Sequence, residues 1–528
     1  MPFFDKAISN QNDAVRLTPD GHADKPMYLN NLGTSFHCRF EQTGDLSDIK
    51  KAISNQYDAV WLTPDGHADK PRYLNNLGNS FLHRFDRTGD LSDVDKAISN
   101  QNDAVWLTPD RHAAKPRRLN SLGISFQSRF ERTGDLSDIE KAISNQNDAV
   151  QLTPDGHADK PMYLNNLGTS FVCRFEKTGD LGDIQKAISN QNDAVWLTPD
   201  GHADKPGCLN NLGTSFQSCF EQTGDLSDIE KAISNQNYAV WLTPDGHTDK
   251  PMYLNNLGNS FLCRFDQTGD LSNVDKAISN QNDAVWLTPD GHAAKPGHLK
   301  NLGTSFLHRF EQMRDPSDHR KAIEWFKHSA TLSTGPPSIR LHSALKWARL
   351  AFVDGSSASL DWYATALHLL LQVAWLGQTV STRHKELISI GGLGNEAAAA
   401  AIEAGNIVLA LEWLEQGRSV VWSQLLSLCT PVDKLRKVEQ DLADGIVRVS
   451  KALENASMRD NHSVNLNQEV TMEQVAQQHR QLAQEWDVLI QKARTIPGFE
   501  EFLLPRKVST LSKAAQSGPI FVINVYKS

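Results

Sequence analysis

From Pro71 onward the chain sets apolar residues among polar ones at the step of an α-helix. Leu74, Leu77, Gly78, Phe81 and Phe85 fall at i, i+3, i+4, i+7 and i+11, which puts them on one face. Asp69 and Pro71 are start signals for this element, helix A. Thr88-Gly89-Asp90 then breaks the pattern. Asp90 can cap a second helix with Asp93 three residues on, and Val94, Ala97, Ile98, Ala104 and Val105 supply its apolar face. This helix B ends near Pro109, before the Asp110 turn. Both faces carry small residues where helices must approach closely, Gly78 on A and Ala97 and Ala104 on B.

The same pattern returns every 45 residues, from Lys51-Ala52-Ile53 to Lys96-Ala97-Ile98 and on to Lys321-Ala322-Ile323. The string LTPDGHADKP at Leu17 recurs with few changes from Leu62, Leu107, Leu152, Leu197, Leu242 and Leu287. One hairpin cannot bury two apolar faces by itself, so the copies must stack. The predicted fold is all-α: an α-solenoid of helical hairpins over residues 1–335, its first unit incomplete. Past Ser333-Thr334-Gly335-Pro336-Pro337 the step is lost. Residues 336–430 read as degenerate helical repeats and 431–510 as a hairpin of two polar helices, Asp433 to Ala456 and Met472 to Arg494. In 511–528 the β-branched run Ile520 to Val525 predicts one isolated β-strand. Gly391-Gly392-Leu393-Gly394 is not a phosphate loop, since neither a preceding strand nor a Gly-Lys-Ser/Thr ending accompanies it.

Seven histidines flanked by acidic residues raise the question of metal sites. Thr63-Pro64-Asp65-Gly66 has turn chemistry, Asp69-Lys70-Pro71 opens the next helix, and His67 lies between. Packed helices lie about 8–10 Å apart, so equivalent atoms one hairpin along are roughly twice that apart, against about 2 Å for a zinc–nitrogen bond. Within one loop only Asp65 and Asp69 accompany His67, and at Ala114 and Ala294 the second carboxylate is missing. The string reads as punctuation, and no metal, cofactor or catalytic residue is expected.

In an array of near-identical copies, the positions that differ carry the information. One column on helix B reads Arg16, Trp61, Trp106, Gln151, Trp196, Trp241 and Trp286, on the side shared with Lys50, Ser54 and Tyr57. Each indole either packs on a neighbouring loop or stands free as a partner-binding ladder. A second column, in the first turn of helix A, holds Tyr28, Tyr73, Arg118, Tyr163, Cys208, Tyr253 and His298. The tryptophans and these tyrosines are the candidate partner-binding residues. A third pairs His37-Cys38 with Leu82-His83 and Gln127-Ser128, and drift on a tolerant surface explains it as well as contacts do.

Composition narrows the partner. The formal charge of -10 is spread along the 528 residues, without the basic block that phosphate neutralisation needs, so nucleic acid is not expected. No apolar run is long enough to span a bilayer and no signal sequence opens the chain, which predicts a cytoplasmic protein without membrane contact. Cys38, Cys173 and Cys263 share a position with His83, Ser128, Ser218 and His308, and no disulfide framework tolerates such exchange. They are expected as free thiols.

The unit resembles a tetratricopeptide repeat (TPR): Leu29, Leu32-Gly33, Phe36, Ala52, Ala59 and Pro64 match its pattern in order. It departs by Leu29 for the usual Trp, by Gln56 for the mid-helix aromatic, and by eleven residues added to the usual 34. Seven of these are expected around the Arg39 to Asp48 turn and four after Pro64. Ala410-Leu411-Glu412-Trp413-Leu414-Glu415-Gln416-Gly417-Arg418, then Trp422-Ser423-Gln424-Leu425, and finally Gly518-Pro519-Ile520-Phe521-Val522-Ile523-Asn524 resemble fungal TPR-containing CHAT proteins. That resemblance implies a caspase-like, separase-related domain beginning at the terminal strand and truncated here, so the His/Cys peptidase positions are absent. Cys429 sits at a helix end with no histidine brought to it. The opening Phe4-Asp5-Lys6-Ala7-Ile8 aligns with helix B, which predicts an incomplete start. The expected function is a non-enzymatic scaffold binding protein or peptide partners along its superhelical groove. The alternatives are the regulatory arm of a CHAT-type peptidase and a degenerate duplicate without specific function.

Overall fold

The computed structural model describes residues 2–353, 359–373, 390, 392–418, 428, 430–459, 472–504, 507–508 and 518. They form two compact units, Met1–Pro244 and Asp245–Ser528. The described residues contain helices and no strand. The expected terminal strand, Cys429 and the Trp422–Leu425 segment lie outside them.

The first unit runs α1 (Pro2–Leu17), α2 (Lys25–Thr43), α3 (Leu46–Leu62), α4 (Lys70–Thr88), α5 (Leu91–Trp106), α6 (Lys115–Thr133), α7 (Leu136–Leu152), α8 (Lys160–Thr178), α9 (Leu181–Leu197), α10 (Lys205–Thr223) and α11 (Leu226–Leu242). From α2 the even-numbered helices are A and the odd-numbered are B, paired in TPR-like hairpins. Asp90 caps as expected: its carboxylate accepts the Ser92 amide at 2.9 Å. Asp69 stands at the N-cap of α4 but its side chain makes no capping hydrogen bond there, and Pro71 lies in the first turn.

The A–B turn differs from expectation. Most of the seven residues assigned to it are helical, because α2 continues through Thr43 and only Gly44 and Asp45 separate it from α3. Gly44 adopts φ 69° and its amide bonds the Phe40 carbonyl at 2.7 Å. Left-handed backbone ends α2 at once, and Asp45 caps α3 on the next residue. The added length of this repeat therefore lies largely in longer helices.

Leu29, Leu32, Phe36 and Phe40 of α2 are buried against Ile49, Ala52 and Ala59 of α3. Gln56 fills the place of the TPR aromatic. A Cβ at Gly33 would stand 2.6 Å from Gln56 Cγ and 3.0 Å from the Ala52 carbonyl oxygen, so only glycine admits this close crossing. Arg39 clamps the hairpin, its guanidinium donating to both oxygens of buried Asp48 at 2.7 and 2.6 Å. Arg84–Asp93, Arg129–Asp138 and Arg174–Asp183 repeat that bidentate pair. Arg129 also reaches back to Asp95 on the preceding B helix at 2.9 Å, tying hairpin to hairpin.

The second unit continues the repeat through α12 (Lys250–Thr268), α13 (Leu271–Leu287), α14 (Lys295–Met313) and α15 (Pro316–Thr331). Phe326 of α15 occupies the glutamine position and contacts Gly303, so the aromatic of the TPR pattern returns there. The second unit goes on through α16 (Pro337–Val353), α17 (Ser359–Val373), α18 (Leu393–Glu403) and α19 (Ile407–Arg418). Leu341, Trp347, Tyr363, Leu367, Leu393 and Trp413 bring these into one core with α14 and α15. Gly394 faces Gly417, where an added Cβ would lie 2.8 Å from the opposite Cα; this glycine serves helix crossing. Beyond it come α20 (Asp433–Arg436), α21 (Gln440–Arg459) and α22 (Met472–Arg494), held around Leu435, Ile446, Leu453, Trp486 and Ile490.

Candidate partner-binding faces

The recurring loop is built from its own side chains. His67 Nδ1 accepts the Asp69 amide at 3.2 Å, and His112 does the same for Ala114 at 3.1 Å where the carboxylate is missing. The Lys70 ammonium donates to the Thr63 carbonyl at 2.8 Å and to Asp65 at 2.7 Å; Lys115 caps Val105 and Thr108 at 3.0 and 2.9 Å. A cation on the carbonyl end of helix B offsets its negative pole. The histidines thus order a turn, and the lysine joins B to the next A.

The tryptophans stand free. Trp61, Trp106, Trp196 and Trp241 in the first unit are 77%, 83%, 83% and 74% exposed, and Trp286 in the second is 83% exposed. They do not pack on the adjacent loops. Exposed Asp58, Asp103 and Asp193 lie three residues before Trp61, Trp106 and Trp196, one helical turn away, as Asp283 does before Trp286. Tyr238 takes that place before Trp241 and stacks on it, centroids 5.6 Å apart. Each hairpin bearing an indole thus presents an aromatic face beside a polar or acidic group on helix B.

Three of the four candidate tyrosines are interior rather than on a partner-facing surface. Tyr73, Tyr163 and Tyr253 are buried, and Tyr28 is half-buried. Tyr73 packs on Leu29 and Ala59 of the preceding hairpin, and Tyr163 on Leu119 and Ala149. A first-turn side chain of helix A points back along its axis toward the preceding B helix. Arg118, Cys208 and His298 fill the same slot, each against a threonine: Arg118 on Thr108, Cys208 3.9 Å from Thr198 and His298 3.0 Å from Thr288.

Consecutive A helices also meet side chain to side chain. Asn76 donates to Asn30 at 3.1 Å, Asn166 to Asn120 at 3.1 Å and Asn211 to Asn165 at 3.2 Å. On the same helices Glu41, Asp86, Glu131, Glu176 and Glu221 form a column of carboxylates. Lost hydration and the neighbouring Glu131 push Asp86 up to about 6; the same two causes, with Glu221, raise Glu176.

Where this column meets the third variable column, the first two complete hairpins juxtapose His37, Glu41 and His83. His37 Nε2 lies 3.4 Å and His83 Nδ1 3.7 Å from Glu41 Oε1, and the two rings are T-shaped at 4.5 Å. One potential ligand atom from each residue falls within 4.8 Å of the other two. Hydrogen bonding to His37 lowers the Glu41 pKa, whereas burial and His37 lower that of His83. Spacing alone did not disclose the trio, because His37 and His83 occupy adjacent rather than equivalent repeat positions.

No protein-family profile matches the chain. No curated protein matches it either. Among solved structures it is similar to a Podosopora anserina protein with nearly identical TPR-like repeats, at 12% identity over 41% of this chain and 98% of the other, TM-score 0.31. It is also similar to a thermophilic TPR protein of Thermus thermophilus, at 18% identity over 44% and 98%, TM-score 0.32. Human IFIT1, solved as a dimer with m7Gppp-AAAA, is similar at 13% identity over 79% and 86%, TM-score 0.46. The hairpins themselves define the class: an α-solenoid of TPR-like repeats. No helix among the described residues is long and apolar enough to cross a membrane.

Proposed function

We propose that the chain is a non-enzymatic scaffold that binds a protein or peptide partner through the tryptophan column of its B helices. The exposure of Trp61, Trp106, Trp196 and Trp241 supports this most directly. A large aromatic left in water has no role in the hairpin's own packing, whereas tryptophan is the residue type most enriched at interface hot spots. Aspartates one turn from three of these indoles favour a partner segment carrying lysine or arginine, whose cation can lie over the ring while pairing with the carboxylate. Nucleic acid fits this face poorly, because phosphate would meet carboxylates under a net charge of -10. The resemblance of residues 410–425 and 518–524 to fungal CHAT proteins supports a finer version, in which the scaffold is the partner-recognition arm of such a protein.

The test replaces Trp61, Trp106, Trp196 and Trp241 together by glutamine, the residue that Gln151 already places in this column. Binding of a fluorescent lysine- and arginine-rich peptide and of its glutamate-substituted counterpart is measured at physiological salt, with a capped RNA oligonucleotide as competitor. The reading expects basic-peptide binding that falls at least about tenfold in the variant, a loss near 1.4 kcal/mol, with helicity unchanged. Equal binding of both peptides, or displacement by the RNA, would overturn it.

A further inference from the structure

We propose that His37, Glu41 and His83 form a binding site for a divalent transition-metal ion, zinc being the first choice, that joins the α2–α3 and α4–α5 hairpins. The donor set is two imidazole nitrogens and one carboxylate, a combination that suits zinc and leaves a fourth position for water. Ligand atoms held tetrahedrally about 2.1 Å from a metal lie roughly 3.4 Å from one another. Glu41 Oε1 stands 3.4 Å from His37 Nε2 and 3.7 Å from His83 Nδ1, so side-chain adjustments of tenths of an ångström complete those edges.

The surroundings prepare these ligands. His37 and Glu41 are one turn apart on α2, and His83 comes from α4, so the ion would bridge two hairpins. The other nitrogen of His37, Nδ1, lies 2.8 Å from the hydroxyl of buried Ser80 on α4. A metal-bound histidine characteristically spends its second nitrogen on such an outer partner, which fixes ring and tautomer. When Nδ1–H donates to Ser80, the bare Nε2 faces the Glu41 carboxylate, an arrangement that a cation between them relieves. At the second junction Leu82 and Ser128 stand in the places of the two histidines, and at the third Gln127 and Cys173 do, where Gln127 donates to Glu131 at 2.9 Å. An amide there satisfies the carboxylate without an ion, so the trio is particular to the first junction.

Calorimetric titration of the full-length, chelator-treated chain with zinc chloride tests the proposal, with the visible absorption of the cobalt(II) form reporting coordination geometry. His37→Gln and His83→Ser introduce residues that the repeat already carries at those positions, and circular dichroism checks that helicity is kept. His67→Asn controls for the loop histidines. The expected result is one zinc per chain, with each variant weakening binding by at least about tenfold, the control leaving it unchanged, and intense tetrahedral cobalt bands lost in both variants. Zinc should also raise the melting temperature of the wild-type chain and not that of His83→Ser. Absence of binding at about 1 mM zinc, far above the Kd of a built site, or affinity retained in both variants, would overturn the assignment. Should His37→Gln lose helicity, His83→Ser and Glu41→Gln decide.

Discussion

Position 219 carries the one cysteine among the clamping arginines of the first unit. Its neighbours Arg39, Arg84, Arg129 and Arg174 each grip an aspartate with two hydrogen bonds, whereas at Cys219 the Asp228 carboxylate has Lys231 at 3.2 Å and the thiol in place of a guanidinium. Burial and the Asp228 carboxylate push the Cys219 thiol up to about 11, so it stays neutral and supplies no compensating charge. Cys219→Arg should restore the bidentate pair and raise stability by about 1–3 kcal/mol in urea unfolding; an unchanged midpoint would mean that the clamp adds nothing there. His298 gives a second residue-scale prediction, with a definite sign. Burial first, then His292 and Lys295, bring it from 6.5 down to about 4. The unfolded chain therefore takes up a proton that the folded chain refuses, and stability present above about pH 6.5 is lost as pH falls toward 4. Between pH 7 and 4.5 this histidine should cost the second unit roughly 2–3 kcal/mol. His298→Tyr, the residue of Tyr253 one repeat earlier, should remove that part of the pH dependence. An identical pH slope in the variant would rule the histidine out as its source.

Among the elements, the A–B crossing decides how tightly a hairpin closes. Gly123 approaches α7 so closely that a Cβ would fall 2.6 Å from Gln146 Cγ and 3.1 Å from the Ala142 carbonyl oxygen. The glutamine that caps this contact pairs unevenly along the array. Gln281 donates to Asn259 at 2.9 Å and accepts from Ser305 at 2.6 Å, whereas neither polar atom of the Gln146 side chain has a partner in the protein. Gln146→Met keeps volume and removes two buried polar atoms, and should stabilise by about 1–2 kcal/mol. The same change at Gln281 should destabilise, because it strands Asn259 and Ser305, and denaturant midpoints moving alike in both variants would refute the distinction. The crossing was legible in sequence: the recurrence of Leu-Gly against a small residue on helix B marked both contact faces. The tyrosine column was not, since a first-turn side chain can face solvent or the preceding hairpin, and only the packing of Tyr73 on Leu29 and Ala59 decides between them. The length of helix A was missed for a related reason. Residues after Phe40 are polar whether they form a loop or the exposed end of a helix, and what ends the helix is Gly44 in left-handed backbone.

At the scale of the molecule the repeat, rather than any one hairpin, carries the fold. Its register was readable because each landmark returns at 45 residues, while the His37–Glu41–His83 trio required knowing which A-helix faces meet. Because each hairpin bonds chiefly to its sequence neighbours, stability should be close to a sum of hairpin and junction terms. Removal of residues 136–180 joins Asp135 to Leu181 and recreates the native Asp-Leu start of a B helix. In that chain Arg129 meets Asp183 where it had Asp138, and Ala187 and Gln191 face Gly123 where Ala142 and Gln146 had been. The shortened protein should therefore fold with unchanged helicity per residue, and its urea m-value should fall by roughly a tenth, in proportion to the surface removed. Removal of 34 residues from the same starting point, the spacing of an ordinary TPR, would set an A-helix register against a B-helix face and misplace every clamp beyond it. Circular dichroism and urea unfolding of the two deletions test this directly: equal loss of helicity in both would show that the 45-residue register does not govern stacking.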